Sequence, residues 1–173
     1  MKEILIRPAF ESDIPDILEI TQEAFAKYAF DLGMPEKVKA LKEDADAIRR
    51  DMAGKIVLIG QLDGVSVGSI RCQFLEGGMA YISRFGVKLA AQSCGIGGAL
   101  IRAVVSYCKD KKVSAIALHT SAKMSSLIRF YYGNGFYIDS TAVDRGYVRA
   151  LLIKELEPEE EAVQYAPRIP KSL

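Results

Sequence analysis

The sequence predicts an α/β (α+β) fold in which a mixed, mostly antiparallel sheet is flanked by helices. Three observations predict it. The dipeptide Asp63-Gly64 separates two β-rich runs, 56–62 and 65–75, and such a pair between apolar runs is a strong hairpin signal. Residues 80–87 alternate Ala80, Ile82 and Arg84 against Tyr81, Ser83, Phe85 and Val87, the period of a strand. A glycine-rich turn, Gln92-Ser93-Cys94-Gly95-Ile96-Gly97-Gly98, then opens a segment with apolar residues at Ile96, Ala99, Leu100, Ala103, Val104, Tyr107 and Cys108. That i, i+3, i+4, i+7 spacing belongs to one face of a helix.

The remaining elements follow in order. Residues 4–7 form a short first strand. Ser12-Asp13-Ile14-Pro15-Asp16 supplies capping oxygens, an early proline and acidic first-turn residues, so a helix starts there, burying Ile14, Ile17, Leu18, Thr21, Phe25 and Tyr28. Gly33-Met34-Pro35 breaks the chain, and Val38, Leu41, Ala45, Ile48 and Met52 predict a second helix ending near Gly54. Glu76-Gly77-Gly78 turns the 65–75 strand into the 80–87 strand. After the glycine-loop helix come a strand at 113–119, a helix around 124–132, and a closing hairpin of 136–143 and 147–154 around Asp144-Arg145-Gly146. From Glu155 the chain turns acidic and then proline-punctuated, so residues 1–155 are read as the domain and 156–173 as a polar, solvated tail. Docking of that tail on the partner subunit of a homodimer is the alternative.

Bulk properties narrow the function classes. The chain has 173 residues, half of them hydrophobic and 26% charged, which suits one globular domain with a sizeable core. A net charge of +1 gives no electrostatic reason to expect nucleic acid or an anionic membrane surface as partner. Arg7 interrupts the first apolar run too early for a signal peptide, and no apolar run approaches the ~20 residues that span a bilayer. Cys72, Cys94 and Cys108 are odd in number and lack metal-ligand spacing, so a cytoplasmic protein with reduced thiols and no metal is expected.

A strand, a glycine-rich turn and a helix together aim unpaired backbone N–H groups and the positive end of a helix dipole at an anion. The segment therefore reads as a site for a phosphate-bearing ligand. A Walker loop needs lysine and Ser/Thr directly after its last glycine, where Ala99-Leu100 stand. A dinucleotide fingerprint needs a third glycine near position 100, which is leucine, and an acid at the end of the next strand, where His119 and Thr120 stand. What remains is Q-x-x-G-x-G. Downstream, Phe130-Tyr131 and Gly135-Phe136 spell F-Y-x-x-x-G-F.

With both motifs in this order and spacing, the sequence resembles the GNAT superfamily of acyl-CoA-dependent N-acyltransferases, most closely over residues 80–138. The resemblance implies the GNAT fold, with its two central strands splayed apart. It implies acetyl-CoA as co-substrate, with the amides of Cys94, Gly95, Ile96, Gly97 and Gly98 on the pyrophosphate. Gln92 and Ser93 shape that loop, Gln92 replacing the commoner arginine. Phe85, Gly86 and Val87 match the strand edge that pairs with pantetheine. A plain bulge is the other explanation for Gly86 inside a strand.

Tyr131 matches the family's proposed general acid, beside a packed core tyrosine as the plainer reading. Many relatives carry a glutamate on the strand matching 80–87, and none stands here. His119, the only histidine, is read as base or proton relay on one hand and as structural on the other, with Glu76, Asp139 and Asp144 as weaker candidates. Cys94 has no partner base for covalent catalysis and is read as a loop residue. Met124 departs from the asparagine often found there, which leaves one pantetheine contact open. Residues 28–52 match the variable wall over the acceptor site, whose Glu36, Glu43, Asp44 and Asp46 either attract a cationic amine or form a solvated face. The implied activity is N-acetyl transfer to a small-molecule or protein amine in a ternary complex. A non-catalytic acyl-CoA sensor is the alternative.

Overall fold

The computed structural model describes residues 2–156 of the chain. Seven strands form one sheet, β1 (Ile4–Pro8), β2 (Ile56–Leu62), β3 (Val65–Leu75), β4 (Met79–Val87), β5 (Ala115–Ser121), β6 (Tyr137–Val143) and β7 (Val148–Glu155), in the spatial order β1-β2-β3-β4-β5-β7-β6. All neighbours run antiparallel except β4 and β5. The β2–β3 hairpin turns through Asp63 at φ 50° and Gly64 at φ 81°, the doubly left-handed turn that an Asp-Gly pair tolerates. The mixed, mostly antiparallel sheet expected from the sequence is the observed one.

Two layers of helix cover the sheet. On one face α3 (Ile96–Asp110) buries Leu100, Ile101, Val104 and Cys108 against Leu58, Ile70 and Cys72, and α4 (Ser125–Gly133) adds Tyr131 beside Phe136. On the other, α1 (Ile14–Leu32) and α2 (Ala45–Gly54) bury Ile14, Ile17 and Ile48 against Val57 and Ile59.

Two sequence expectations are corrected. The helix expected to run from Val38 to Met52 is only α2. Before it, Pro35–Lys37 and Lys39–Lys42 form single 3-10 turns. Asp44 explains the later start: its backbone is extended, and its side chain accepts the Ala47 N–H at 2.8 Å and caps the helix there. Upstream, Val38 and Ala40 are held against Ala29 in a separate apolar cluster, and tertiary packing overrides the helical spacing.

Second, the alternation of β4 does not run its whole length. Ser83 lies opposite Arg71 but Gly86 opposite Ser69, so β4 carries an extra residue at a bulge where Arg84 takes φ 48°. The bulge reverses the facing of all that follows. Phe85 and Val87 join Ala80 and Ile82 over the α3 core instead of opposing them. Gly86 adjoins this bulge and also serves helix packing, since a Cβ there would stand 2.8 Å from that of Ala24 on α1.

The parallel pair is short. β4 and β5 are joined only at Met79–Ala115, Ala80–Ile116 and Tyr81–Ala117, whereas β5 pairs with β7 along its whole length. Beyond Tyr81 and Ala117 the two strands separate and leave a wedge open through the middle of the sheet. Leu156 still belongs to the domain, being buried with its N–H on the Ser114 carbonyl at 2.8 Å. The rest of the tail read from the sequence lies outside the described residues. Among those residues, no helix is long and apolar enough to cross a membrane.

Candidate active site

The wedge opens into a cleft of about 800 Å³ lined by α1, the 37–43 segment, α2, β4, the glycine loop, β5, α4 and the β6–β7 turn. Its first arm is made of backbone. Ser93 at φ 65° and Gly95 at φ 86° fold the chain into the start of α3, and no side chain caps that helix. Gly97 lets α3 close on the aromatic layer, since a Cβ there would meet the Phe130 ring at 3.1 Å. The Gln92 and Cys94 amides bond inside the preceding turn, to Leu89 O at 3.2 Å and Ala91 O at 3.3 Å. Those of Ser93, Gly95, Ile96, Gly97 and Gly98 find no acceptor among the described residues, and the first helical bond is Ala99 to Gly95 at 3.0 Å. These unclaimed donors lie where the α3 dipole is positive. Phe85, Gly86 and Val87 border the same arm, on the edge of β4 that β5 has left.

Aromatic hydroxyls stand at the head of the wedge. Tyr131 packs among Phe85, Phe130 and Phe136 with centroids 5.4–6.3 Å away, and it lines the cleft. Burial, then the neighbouring Tyr28 and Tyr81, raises its pKa well above that of an ordinary phenol, so its hydroxyl is a proton donor throughout the neutral range. Tyr28 of α1 reaches across the wedge. Its hydroxyl accepts the Ser121 N–H at 3.0 Å and lies 3.5 Å from that of Tyr147. His119 faces the cleft with Nδ1 on the Tyr81 hydroxyl at 2.7 Å. Burial and then the Arg149 charge lower its pKa to about 4, so the ring is neutral at physiological pH. Sequence reasoning missed Tyr81 as this partner, because a parallel register across a helical crossover leaves no local signal.

Side chains make the opposite arm, and they are charged. Glu43 is almost fully buried and grips Arg71 with both oxygens at 2.6 and 2.7 Å, while Arg84 Nε reaches the same carboxylate at 3.2 Å. Asp51 joins Arg71 at 2.7 Å and Lys55 at 2.8 Å. Of the acids read as an acceptor wall, Glu43 is thus neutralised, Asp44 caps a helix, Asp46 pairs with Arg49 at 2.7 Å, and Glu36 does not line the cleft. Glu76, Asp139 and Asp144 do not line it either, and Asp144 is held by Arg149 at 2.9 Å. Met124 does line it. Among the described residues, no group of three or more His, Cys, Asp or Glu is placed to hold a metal ion.

Residues 14–136 match the acetyltransferase (GNAT) family. Solved structures share the fold. Similar ones include the PaiA N-acetyltransferase of Thermoplasma acidophilum in complex with coenzyme A, at 18% identity over 89% of this chain and 99% of that one, with a TM-score of 0.79. The ribosomal-protein-S18-alanine N-acetyltransferase of Escherichia coli matches at 15% identity, 93% and 100% coverage and a TM-score of 0.71. Ard1 of Thermoplasma volcanium matches at 20% identity, 90% and 99% coverage and a TM-score of 0.71. No curated protein matches the chain in sequence.

Proposed function

The chain belongs to the acetyltransferase (GNAT) family, and from that premise we propose that it transfers an acetyl group from acetyl-CoA to a primary amine by direct attack in a ternary complex. The observation that carries the reading is the row of unclaimed amides at Ser93 and Gly95 to Gly98, in line with an open strand edge and a buried tyrosine hydroxyl. The complex of coenzyme A with the structurally similar PaiA supports the choice of donor.

In this reading the diphosphate sits on those amides and the pantetheine arm follows Phe85, Gly86 and Val87 into the wedge. The thioester then lies between Tyr131 and the charged arm. When the amine attacks and the tetrahedral centre collapses, the sulfur leaves as a thiolate. Reference values of ~10 for a phenol and ~8.5 for a thiol make full proton transfer from tyrosine uphill by ~2 kcal/mol. Burial raises Tyr131 further, so its part is a hydrogen bond that strengthens as charge develops on sulfur.

The amine must shed a proton before attack. His119, neutral and tied to Tyr81, can receive or relay it, but with a pKa near 4 it is a weak base. Cations along the acceptor arm ease this step, because they lower the pKa of an ammonium held among them. The acceptor is a small-molecule or protein amine and the setting cytoplasmic.

Release of free thiol from acetyl-CoA with a panel of amines tests the reading. Amine-dependent release, lost in Tyr131→Phe, supports transfer. Tight binding of the donor with no release from any amine would instead mark a sensor.

A further inference from the structure

We propose that the acceptor carries an anionic group, a carboxylate or a phosphate, close to its amine, and that Arg84 receives that group. The inference rests on the acetyltransferase reading and specifies its substrate class.

The charge pattern of the acceptor arm comes first. Among the described residues, every carboxylate lining the cleft already has a cation. Asp31 is paired with Lys27, Glu43 with Arg71 and Arg84, and Asp51 with Arg71 and Lys55. None is left to receive a polycationic amine. By contrast Lys37, Lys39 and Arg50 line the cleft with no ion-pair partner among the described residues. The field in this arm is positive, and it draws in anions.

Arg84 gives that field a point of contact. It lies in the bulge of β4, directly before the Phe85–Val87 edge, in a left-handed conformation (φ 48°) that side chains other than glycine rarely adopt. The bulge turns its guanidinium into the cleft, with 30% of the side chain exposed. Only Nε is engaged, at 3.2 Å from Glu43, and the two terminal nitrogens have no partner among the described residues. Glu43 does not depend on that bond, since Arg71 already holds both of its oxygens. Glu43 fixes the guanidinium by one edge and leaves the fork free. A planar fork with parallel N–H donors matches a carboxylate or phosphate in two-point contact. A ligand anion there would sit beside the thioester and bring the amine with it.

The test compares initial rates at saturating acetyl-CoA for amines that differ in what they carry beside the amine: β-alanine and O-phosphoethanolamine an anionic group, propylamine no charged group, and spermidine further cations. The anionic pair is expected to show kcat/KM ~10-fold or more above propylamine, falling as salt rises, with carboxylate and phosphate told apart by which of the two leads. Arg84→Gln should abolish most of that preference through KM, Arg84→Lys should restore part of it, and neither should shift coenzyme A affinity. Equal or better turnover of spermidine or propylamine, a loss in Arg84→Gln that is the same for all amines, or a shift in coenzyme A affinity would overturn the proposal.

If no amine in the panel is acetylated, calorimetry on the coenzyme A complex decides. Binding of N-acetyl-β-alanine but not N-acetylpropylamine, lost in Arg84→Gln, supports the inference, and binding of neither contradicts it. A protein that binds no coenzyme A fails one step earlier, at the acetyltransferase reading itself.

Discussion

The two arms of the cleft are made of different materials. The arm proposed for the donor is main chain: a helix start with unclaimed amides and a strand edge freed by divergence from its neighbour. The arm proposed for the acceptor is side chain: a partly buried ion network of Glu43, Arg71, Asp51 and Arg84, with Lys37 and Lys39 beside it in the cleft lining. Backbone donors suit a ligand part that never changes, because they hold it whatever the side chains become. Side chains suit the part that defines specificity, because each can be exchanged without moving the fold.

Substitutions should separate the two arms. The largest effect is expected where the arms meet. Tyr131→Phe should lower kcat by ~10²–10⁴ with coenzyme A affinity nearly unchanged, as steady-state rates and calorimetry together would show. Unaltered turnover would leave Tyr131 a packing residue.

Next is the acceptor network. Glu43→Gln leaves the fully buried Arg71 without its main counter-charge, and stripping one partner from such a pair costs ~3–5 kcal/mol. At ~2–4 °C per kcal/mol for a chain of this size, Tm should drop by about 10 °C in a thermal melt. A shift within error would mean that water already screens the pair.

Gly95→Ala comes third. A Cβ at φ 86° costs roughly 1–2 kcal/mol, and relief of that strain should pull the loop off its geometry. Coenzyme A affinity should fall ~10-fold while the acceptor KM stays put. A change in acceptor KM alone would reverse the assignment of the arms.

The smallest effect is on the pH dependence of stability. His119 titrates near 4 in the fold against 6.5 when unfolded, so below 6.5 the unfolded chain takes up a proton that the fold refuses. Its contribution is whole above pH 6.5 and is lost as pH falls toward 4. Denaturant melts across that window should show a shallower acid loss in His119→Gln than in the parent. Identical slopes would mean that His119 is not desolvated.

What could be read in the sequence follows the same division. Asp63-Gly64 and the glycine loop carry their conformations locally, in residues that tolerate positive φ, so the hairpin and the start of α3 were legible. The motif Phe130-Tyr131 singled out a tyrosine that lines the cleft. The bulge was legible only as one of two explanations for Gly86, and its position at Arg84 was not, because an extra residue in one strand is located only relative to its partner. Nor was the pairing of Tyr81 with His119, which depends on a parallel register set by a crossover. Glu43 looked like part of a solvated or substrate-facing wall, since the arginines that neutralise it lie 28 and 41 residues away on β3 and β4.

Isothermal titration of the 173-residue chain with coenzyme A puts the diphosphate contact itself to the test. The free amides at the start of α3 require saturable, exothermic binding that dephospho-coenzyme A largely retains and free pantetheine largely loses, because the diphosphate carries the contact. No heat at millimolar coenzyme A, or equal binding of pantetheine, would contradict it.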